Sequence, residues 1–116
     1  MSETIKEKSR LIVIKNFYGE KIDFSIEELK NDILRILSEK KVKKTINFFL
    51  LNNEKIKELN NRFLKKNKPT NVLSFPSDEK NSLGDIYISI DYCQDESAET
   101  GLTTYELIVF YFIHGL

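Results

Sequence analysis

The sequence predicts an α/β (α+β) fold in which a single mixed four-stranded sheet is covered by helices. Short runs of β-branched and aromatic residues alternate with segments whose apolar residues recur at helical spacing. An apolar share of 41% over 116 residues supports a hydrophobic core, and no repeat, linker or low-complexity segment divides the chain. These observations predict one domain over residues 1–116.

The first half of the chain alternates strands and helices. Residues 11–14 form a β-branched run that predicts a strand, and residues 45–51 are apolar enough for a central strand. Between these runs, Ser25 and Glu28 have the spacing of a capping box, which predicts the start of a helix. A second helix follows residues 45–51.

This second helix is predicted to begin at Asn52 or Asn53 and to end at Lys68-Pro69, because the residue before a proline is disfavoured in the helical region.

Residues 54–68 contain six basic and two acidic residues, and most of the basic ones lie on the outward side of the predicted helix. The 18 basic and 18 acidic residues of the whole chain cancel. The uneven distribution can still give the protein one basic face, which is either an ordinary solvated surface or a nucleic-acid footprint.

Two further strands are predicted after the second helix. Residues 70–76 form a short strand that stops at Pro76, which suits a sheet edge or a strand end because proline cannot donate to a ladder. Residues 84–90 alternate strictly, with isoleucine at every second position. The polar residues 77–81 form the loop between the two strands.

Two helices complete the predicted order of elements. Residues 91–100 form the first, with Gly101 as its left-handed terminating residue. Thr103 and Glu106 then form a second capping box and start a strongly apolar helix that carries His114 near its end. The chain stops two residues after this histidine, inside an apolar turn, and we therefore expect a truncated sequence.

Cysteine usage and hydropathy indicate the compartment. The single Cys93 cannot form an internal disulfide and fits a reducing environment. The first ten residues are too polar for a secretory segment, and the longest apolar run, residues 107–113, is too short to cross a bilayer. We expect a cytoplasmic protein without a membrane partner.

His114 is the only side chain whose ordinary pKa lies near neutrality. It is either a residue that terminates a buried helix or a functional group. Four acidic residues could form one carboxylate cluster: Asp85, Asp91, Asp95 and Glu96. They are better explained as residues at a strand end and on the solvated face of a helix. No Cys-x-x-Cys pair, paired histidines or Gly-rich phosphate loop is present. Patterns alone therefore leave the function open.

Four blocks of sequence resemble the YbeY family of bacterial single-strand-specific endoribonucleases. They are Leu59-Asn60, Lys-Pro-Thr-Asn-Val-Leu-Ser-Phe-Pro at 68–76, Leu-Gly-Asp-Ile at 83–86 and Phe-Ile-His-Gly-Leu at 112–116. Their order and spacing match the family from about residue 11 to residue 116. The block at 68–76 is the most specific. The resemblance implies the YbeY metal-dependent hydrolase fold.

The resemblance also implies a zinc cofactor, one ion per complete protein. The family signature begins His-Gly-x-Leu-His and continues to a third histidine, so that three imidazoles and a water surround the metal. His114, Gly115 and Leu116 match its start, and the other two histidines are absent from this sequence. We therefore expect a domain truncated within the metal-binding motif, and an inactive 116-residue chain.

The implied activity is zinc-dependent cleavage of single-stranded RNA, for 16S rRNA 3′-end maturation and ribosome quality control. The implied partners are a ribosomal RNA precursor, the small ribosomal subunit and a ribosome-assembly GTPase. A metalloprotease of the His-Glu-x-x-His type is disfavoured, because Gly115 follows His114. A non-catalytic ribosome- or RNA-associated binding module is the alternative, since two of the three metal histidines are absent.

One position departs from the family pattern. The family carries a phosphate-facing arginine shortly before the 68–76 block, and that position is Leu64 here. Arg62 lies about 200° away around a helix and is not an obvious substitute. No catalytic residue is therefore assigned. Residues with an expected RNA-binding role are Arg62, Lys65, Lys66, Lys68, Thr70 and Ser74.

Overall fold

The computed structural model describes residues 11–116. It contains β1 (Ile12–Asn16), α1 (Ile26–Glu39), β2 (Thr45–Leu51), α2 (Asn53–Leu64), β3 (Val72–Pro76), β4 (Ser82–Ser89), α3 (Ile90–Thr100) and α4 (Thr104–Gly115). The predicted order of strands and helices is confirmed. The prediction that residues 1–10 are not a secretory segment lies outside the described residues.

The four strands form one mixed sheet in the order β1-β2-β4-β3. The pairs β1–β2 and β2–β4 are parallel, and β3 pairs antiparallel with β4. Strand β2 is central, as its apolar sequence predicts. Strand β3 lies at an edge, where the missing N–H of Pro76 costs little. The predicted single mixed four-stranded sheet is therefore confirmed.

The two faces of the sheet are covered unequally. The core face carries alternate residues such as Phe48, Ile86 and Ile88, and buried residues of α1, α3 and α4 pack with them in the main core. The outer face carries the intervening residues, including Phe49 and Tyr87, and α2 packs on it. The buried cluster on the outer face is small, consisting of Leu51, Ile56 and Leu73. Helical cover is therefore thick on one face and thin on the other.

Helix α2 ends earlier than the sequence predicts. It terminates at Leu64 rather than at Lys68, because Lys65 adopts a left-handed conformation with φ 58°. The backbone N–H groups of Lys65 and Lys66 donate to carbonyls of the preceding turn, on Asn61 and Asn60. This hydrogen-bonded cap ends the helix, and Pro69 lies beyond it.

Other boundaries move by one or two residues. Strand β3 begins at Val72 instead of residue 70, and β4 begins at Ser82 instead of residue 84. Ser89 ends β4 and also caps α3, with its hydroxyl accepting from the Tyr92 N–H. Gly101 terminates α3 with φ 80°, as predicted. Across residues 11–116, no helix combines the length and hydrophobicity needed to span a bilayer.

The capping box of α4 is complete. The Thr103 hydroxyl accepts from the Glu106 N–H, and a Glu106 carboxylate oxygen accepts from the Thr103 N–H, both at 3.0 Å. The second bond lowers the pKa of Glu106 below its ordinary value of 4.5. At α1 one half of the box is present, since Ser25 accepts from the Glu28 N–H. Helix α4 therefore starts at a well-defined residue.

We expect Thr103→Ala to reduce the free energy of unfolding by about 1 kcal/mol, because the Glu106 N–H loses its acceptor. Urea denaturation at neutral pH measures this loss, and Thr104→Ala, one residue further on, is the matched control. The Glu106 contribution is complete above about pH 4.5 and is lost as the pH falls through its lowered folded-state pKa. A Thr103→Ala midpoint equal to that of Thr104→Ala would contradict the role of the cap.

Candidate active site

Three of the four blocks that carry the family resemblance meet at one cavity of about 290 Å³. It lies between the end of α4, edge strand β3 and the start of β4. Its lining residues come from blocks 68–76, 83–86 and 112–116 together with β2: Ile46, Ser74, Pro76, Leu83, Gly84, Asp85, Ile86, Gly115 and Leu116. Residues as far apart in sequence as Ile46 and Leu116 are therefore brought together in one place.

Ser74 holds the end of α4 against the sheet. Its hydroxyl donates to the Gly115 carbonyl at 2.8 Å, which satisfies one of the carbonyls left without partners at a helix terminus. A Cβ on Gly115 would lie 3.4 Å from side-chain carbons of Val72 and Ile86. The backbone of the last turn of α4 therefore lies close to these two core-face side chains.

Gly84 allows β3 and β4 to approach closely beside the cavity. Its φ is +127°, and a Cβ there would lie 2.1 Å from the Phe75 carbonyl oxygen and 2.9 Å from Pro76 Cα. Both neighbouring atoms belong to backbone, so they cannot move aside as a side chain could. The Leu-Gly-Asp block thus has a steric reason for its glycine.

His114 lies on the exposed side of the last turn of α4. Its ring stacks on Phe110, one turn earlier, with 6.4 Å between centroids and 8° between planes. The core side of the helix is formed by other residues: Leu107, Ile108 and Phe112. The imidazole is therefore not buried in the core, and it lies on a helix that is anchored at Gly115.

The basic residues predicted to bind RNA do not line this cavity. Arg62, Lys65, Lys66 and Lys68 are exposed at and beyond the end of α2, and Thr70 lies between α2 and β3. Leu64, at the family arginine position, is 47% exposed. Because α2, which carries Arg62, packs on the outer face and α4 on the core face, the sheet lies between Arg62 and His114. Of the predicted RNA-binding residues, only Ser74 lines the cavity.

Asn60 has a positioning role that the sequence did not reveal. It is 2% exposed, and its side-chain amide donates to the Lys68 carbonyl at 2.9 Å. Its own backbone carbonyl accepts from the Lys66 N–H. These bonds hold the segment that leads from α2 into β3. An asparagine at an otherwise apolar helix position was the available signal.

Asp85 and Asn47 form a polar pair across β4 and β2. The Asn47 side-chain amide donates to Asp85 Oδ1 at 2.9 Å. Burial raises the pKa of Tyr87, and the nearby Asp85 carboxylate raises it further. Both Asp85 and Asn47 line a second cavity of about 300 Å³, which shares Pro76, Gly84 and Asp85 with the first. The β3–β4 hairpin thus borders recesses on two sides.

The carboxylates do not form a single cluster. Asp91 accepts hydrogen bonds from the Tyr18 hydroxyl at 2.8 Å and from the Asn53 N–H at 2.9 Å, so it ties three segments together. Asp95 and Glu96 line a separate recess beside α3, and Glu96 accepts from the Tyr111 hydroxyl. Within residues 11–116, no three His, Cys, Asp or Glu side chains are grouped closely enough to hold a metal ion.

Known proteins resemble this chain over most of its length. The sequence profile of the family described as Endoribonuclease YbeY matches residues 13–116. Endoribonuclease YbeY of Sulfurihydrogenibium sp. (strain YO3AOP1) is 36% identical over 116 residues, which cover 95% of this chain and 75% of that relative. Endoribonuclease YbeY of Ehrlichia chaffeensis is 38% identical over 94 residues, which cover 78% of this chain and 61% of that protein.

A solved structure shares the architecture. The solution structure of TM1509 from Thermotoga maritima matches with a TM-score of 0.68 and 28% identity, over 89% of this chain and 69% of that one. This match confirms the predicted fold class. Together with the profile match and the sequence relatives, it shows that the chain belongs to the endoribonuclease YbeY family.

Proposed function

We propose that this protein contributes the cleft of an endoribonuclease that cleaves single-stranded RNA. The observation that supports the proposal best is the meeting of three family segments at one cavity, which is lined by Gly115, the residue that follows the exposed His114. A volume near 300 Å³ is at the lower limit for small-molecule sites, so it suits one nucleotide and not a duplex. The size of the cavity supports the proposed single-strand specificity.

We propose zinc as the cofactor, with His114 as one of its ligands. An exposed imidazole on an anchored helix turn is a suitable ligand, and a zinc ion at such a site supplies a water of lowered pKa. A catalytic zinc site needs three protein ligands, and the sequence contains one histidine. Residues 11–116 therefore provide part of the ligand set, and we expect the 116-residue chain itself to bind zinc weakly and to be inactive.

The roles of the chain's own residues are positional in this proposal. The Ser74–Gly115 hydrogen bond holds the helix turn that bears His114, and Gly84 keeps β3 close to β4. Fixing a ligand-bearing turn on a rigid sheet keeps the site pre-organised for the reaction. The exposed cations at and beyond the end of α2 attract the phosphate backbone from a distance.

We propose the biological role that the resemblance to the YbeY family implies. The substrate is a ribosomal RNA precursor, cleaved in 16S rRNA 3′-end maturation and ribosome quality control. The proposed partners are the small ribosomal subunit and a ribosome-assembly GTPase, in the cytoplasm.

A non-catalytic RNA- or ribosome-binding module is the second candidate. Two observations favour it: the sequence has one histidine, and Leu64 stands at the position of the family arginine. Metal content discriminates the two candidates, because a binding module needs no zinc.

The cleavage assay uses a chimera. In it, residues 1–116 are followed by the part of the Sulfurihydrogenibium relative that comes after the position aligned with Leu116. We expect this chimera to cut single-stranded RNA, to stop when a chelator is added, and to recover with zinc. His114→Ala should lower the cleavage rate by at least about 100-fold, since even the supporting residues of metal ligands cost 10- to 100-fold. Unchanged cleavage by the His114→Ala chimera would refute the proposed metal role.

A further inference from the structure

Five aromatic rings form a continuous strip across the outer face of the sheet. Phe17 follows β1, Phe49 lies on β2, Tyr87 on β4, Phe75 on β3 and Phe63 on α2. Neighbouring ring centroids are separated by 6.2, 4.5, 5.8 and 5.3 Å along the strip. The first two contacts are stacked, with interplanar angles of 15° and 11°. The rings therefore form one connected aromatic strip.

The strip is not a buried core. Its terminal rings, Phe17 and Phe63, are 48% and 55% exposed, and the three rings between them are partly buried. Val13, on the same face, is 42% exposed. Helix α2 thus leaves part of this face open to solvent.

Cations lie against three of the rings. The Lys15 ammonium lies 5.8 Å from the Phe49 centroid, the Lys55 ammonium 5.9 Å from that of Phe17, and the Arg62 guanidinium 5.6 Å from that of Phe63. Lys55 is also held by a 2.8 Å hydrogen bond from its ammonium to the Phe17 carbonyl. These cation–π contacts hold positive charge at the strip itself.

This combination fits one class of partner. Single-stranded nucleic acids bind to aromatic side chains that stack with bases, next to cations that contact phosphates. Protein interfaces are instead depleted in lysine, and two of the three cations that lie against the strip are lysines, Lys15 and Lys55. Charge complementarity therefore favours a polyanion with unpaired bases.

Strand β3 connects the strip to the cavity. Phe75 faces the outer side of this edge strand, and the preceding residue, Ser74, lines the cavity on the core side. We propose that the aromatic strip binds unpaired bases of single-stranded RNA and guides the strand around the β3 edge to the cavity. This inference rests on the proposed endoribonuclease function, to which it adds a substrate-binding surface.

The test measures binding without cleavage. The purified chain, with a chelator present, is titrated against a fluorescein-labelled oligouridine of about 12 nucleotides. Phe63→Leu, which keeps an apolar side chain but removes the ring, should weaken binding roughly tenfold, and Phe63→Tyr should bind like the wild type. Leu64→Ala, at an adjacent exposed apolar position, is the matched control and should also bind like the wild type.

A second ligand separates stacking from charge. Inorganic polyphosphate has the negative charge but no bases, so its affinity should not change in Phe63→Leu. Arg62→Ala should reduce the slope of log affinity against log salt by about 0.7 if one phosphate contact is lost. An RNA duplex of equal length should bind more weakly than oligouridine.

Several outcomes would overturn the proposal. One is that the wild type does not bind oligouridine, or that Phe63→Leu binds it as tightly as the wild type does. Another is that Phe63→Leu weakens polyphosphate binding as much as oligouridine binding. A third is that the wild type is a dimer that Phe63→Leu dissociates. The assay needs neither zinc nor His114. If the chimera does not cleave RNA but oligouridine binding still depends on the Phe63 ring, the nuclease proposal is refuted and the RNA-binding surface stands. If the chimera cleaves RNA but binding does not depend on the ring, the RNA-binding surface is refuted and the nuclease proposal stands.

Discussion

Replacing Gly84 with alanine is expected to reduce the free energy of unfolding by more than about 3 kcal/mol. The new Cβ would lie 2.1 Å from the Phe75 carbonyl oxygen, and the φ of +127° is itself strained for any residue with a side chain. Relief requires β3 to move away from β4, which breaks the ladder at the sheet edge. Urea denaturation followed by circular dichroism measures the loss, and a variant that does not fold at all also agrees with this expectation.

Gly101→Ala is the matched control. Gly101 also has a positive φ, of 80°, but nothing lies within 4 Å of a Cβ built there. Its replacement should cost about 1 kcal/mol, the penalty for a side chain in the left-handed region alone. The difference between the two variants measures the close approach beside the cavity. Equal losses would contradict the steric role assigned to Gly84.

The fold was predictable where the determining interactions are local. Strand β2 occupies the predicted residues, and the Thr103–Glu106 capping box forms with both of its bonds. The alternation over residues 84–90 predicted that Ile86, Ile88 and Ile90 share one face, and all three are buried, although Ile90 is the first residue of α3. Periodicity and capping are properties of a few neighbouring residues, so a sequence displays them directly.

The end of α2 was not predictable by the same reasoning. Lys65, a non-glycine residue, adopts the left-handed conformation that usually marks a glycine, so no residue type signalled the end of the helix. Asn60 contributes through its buried amide, which reaches the Lys68 carbonyl across a non-helical segment. This bond became visible only when the folded path of the chain was known.

In the candidate site, too, the sequence predicted the local segments but not the contacts between them. The resemblance identified the segments that carry Ser74, Gly84 and His114, and the structure brings those segments together. Their contacts were not predictable, because the bond from Ser74 to Gly115 joins residues 41 positions apart. The RNA-binding roles of the residues at 62–70 remain predictions. The aromatic strip had no sequence signal, since its five rings come from five different parts of the chain.

Under the proposed zinc role, His114→Ala is expected to abolish tight zinc binding by the chimera. Removing one of the three proposed imidazole ligands should lower zinc affinity by more than about 100-fold, because the residues that merely support ligands contribute 10- to 100-fold. Val72→Ala, which trims a side chain packed near Gly115 and removes no ligand, is a control for indirect loss of structure.

Zinc content tests most directly whether His114 belongs to the metal site of an endoribonuclease. Zinc bound per chain is measured by elemental analysis after dialysis, for the 116-residue chain, the chimera with the Sulfurihydrogenibium segment and the His114→Ala chimera. We predict about one zinc per chain in the chimera and well below one in the other two proteins. Stoichiometric zinc in the 116-residue chain, or full zinc content in the His114→Ala chimera, would contradict this assignment of His114.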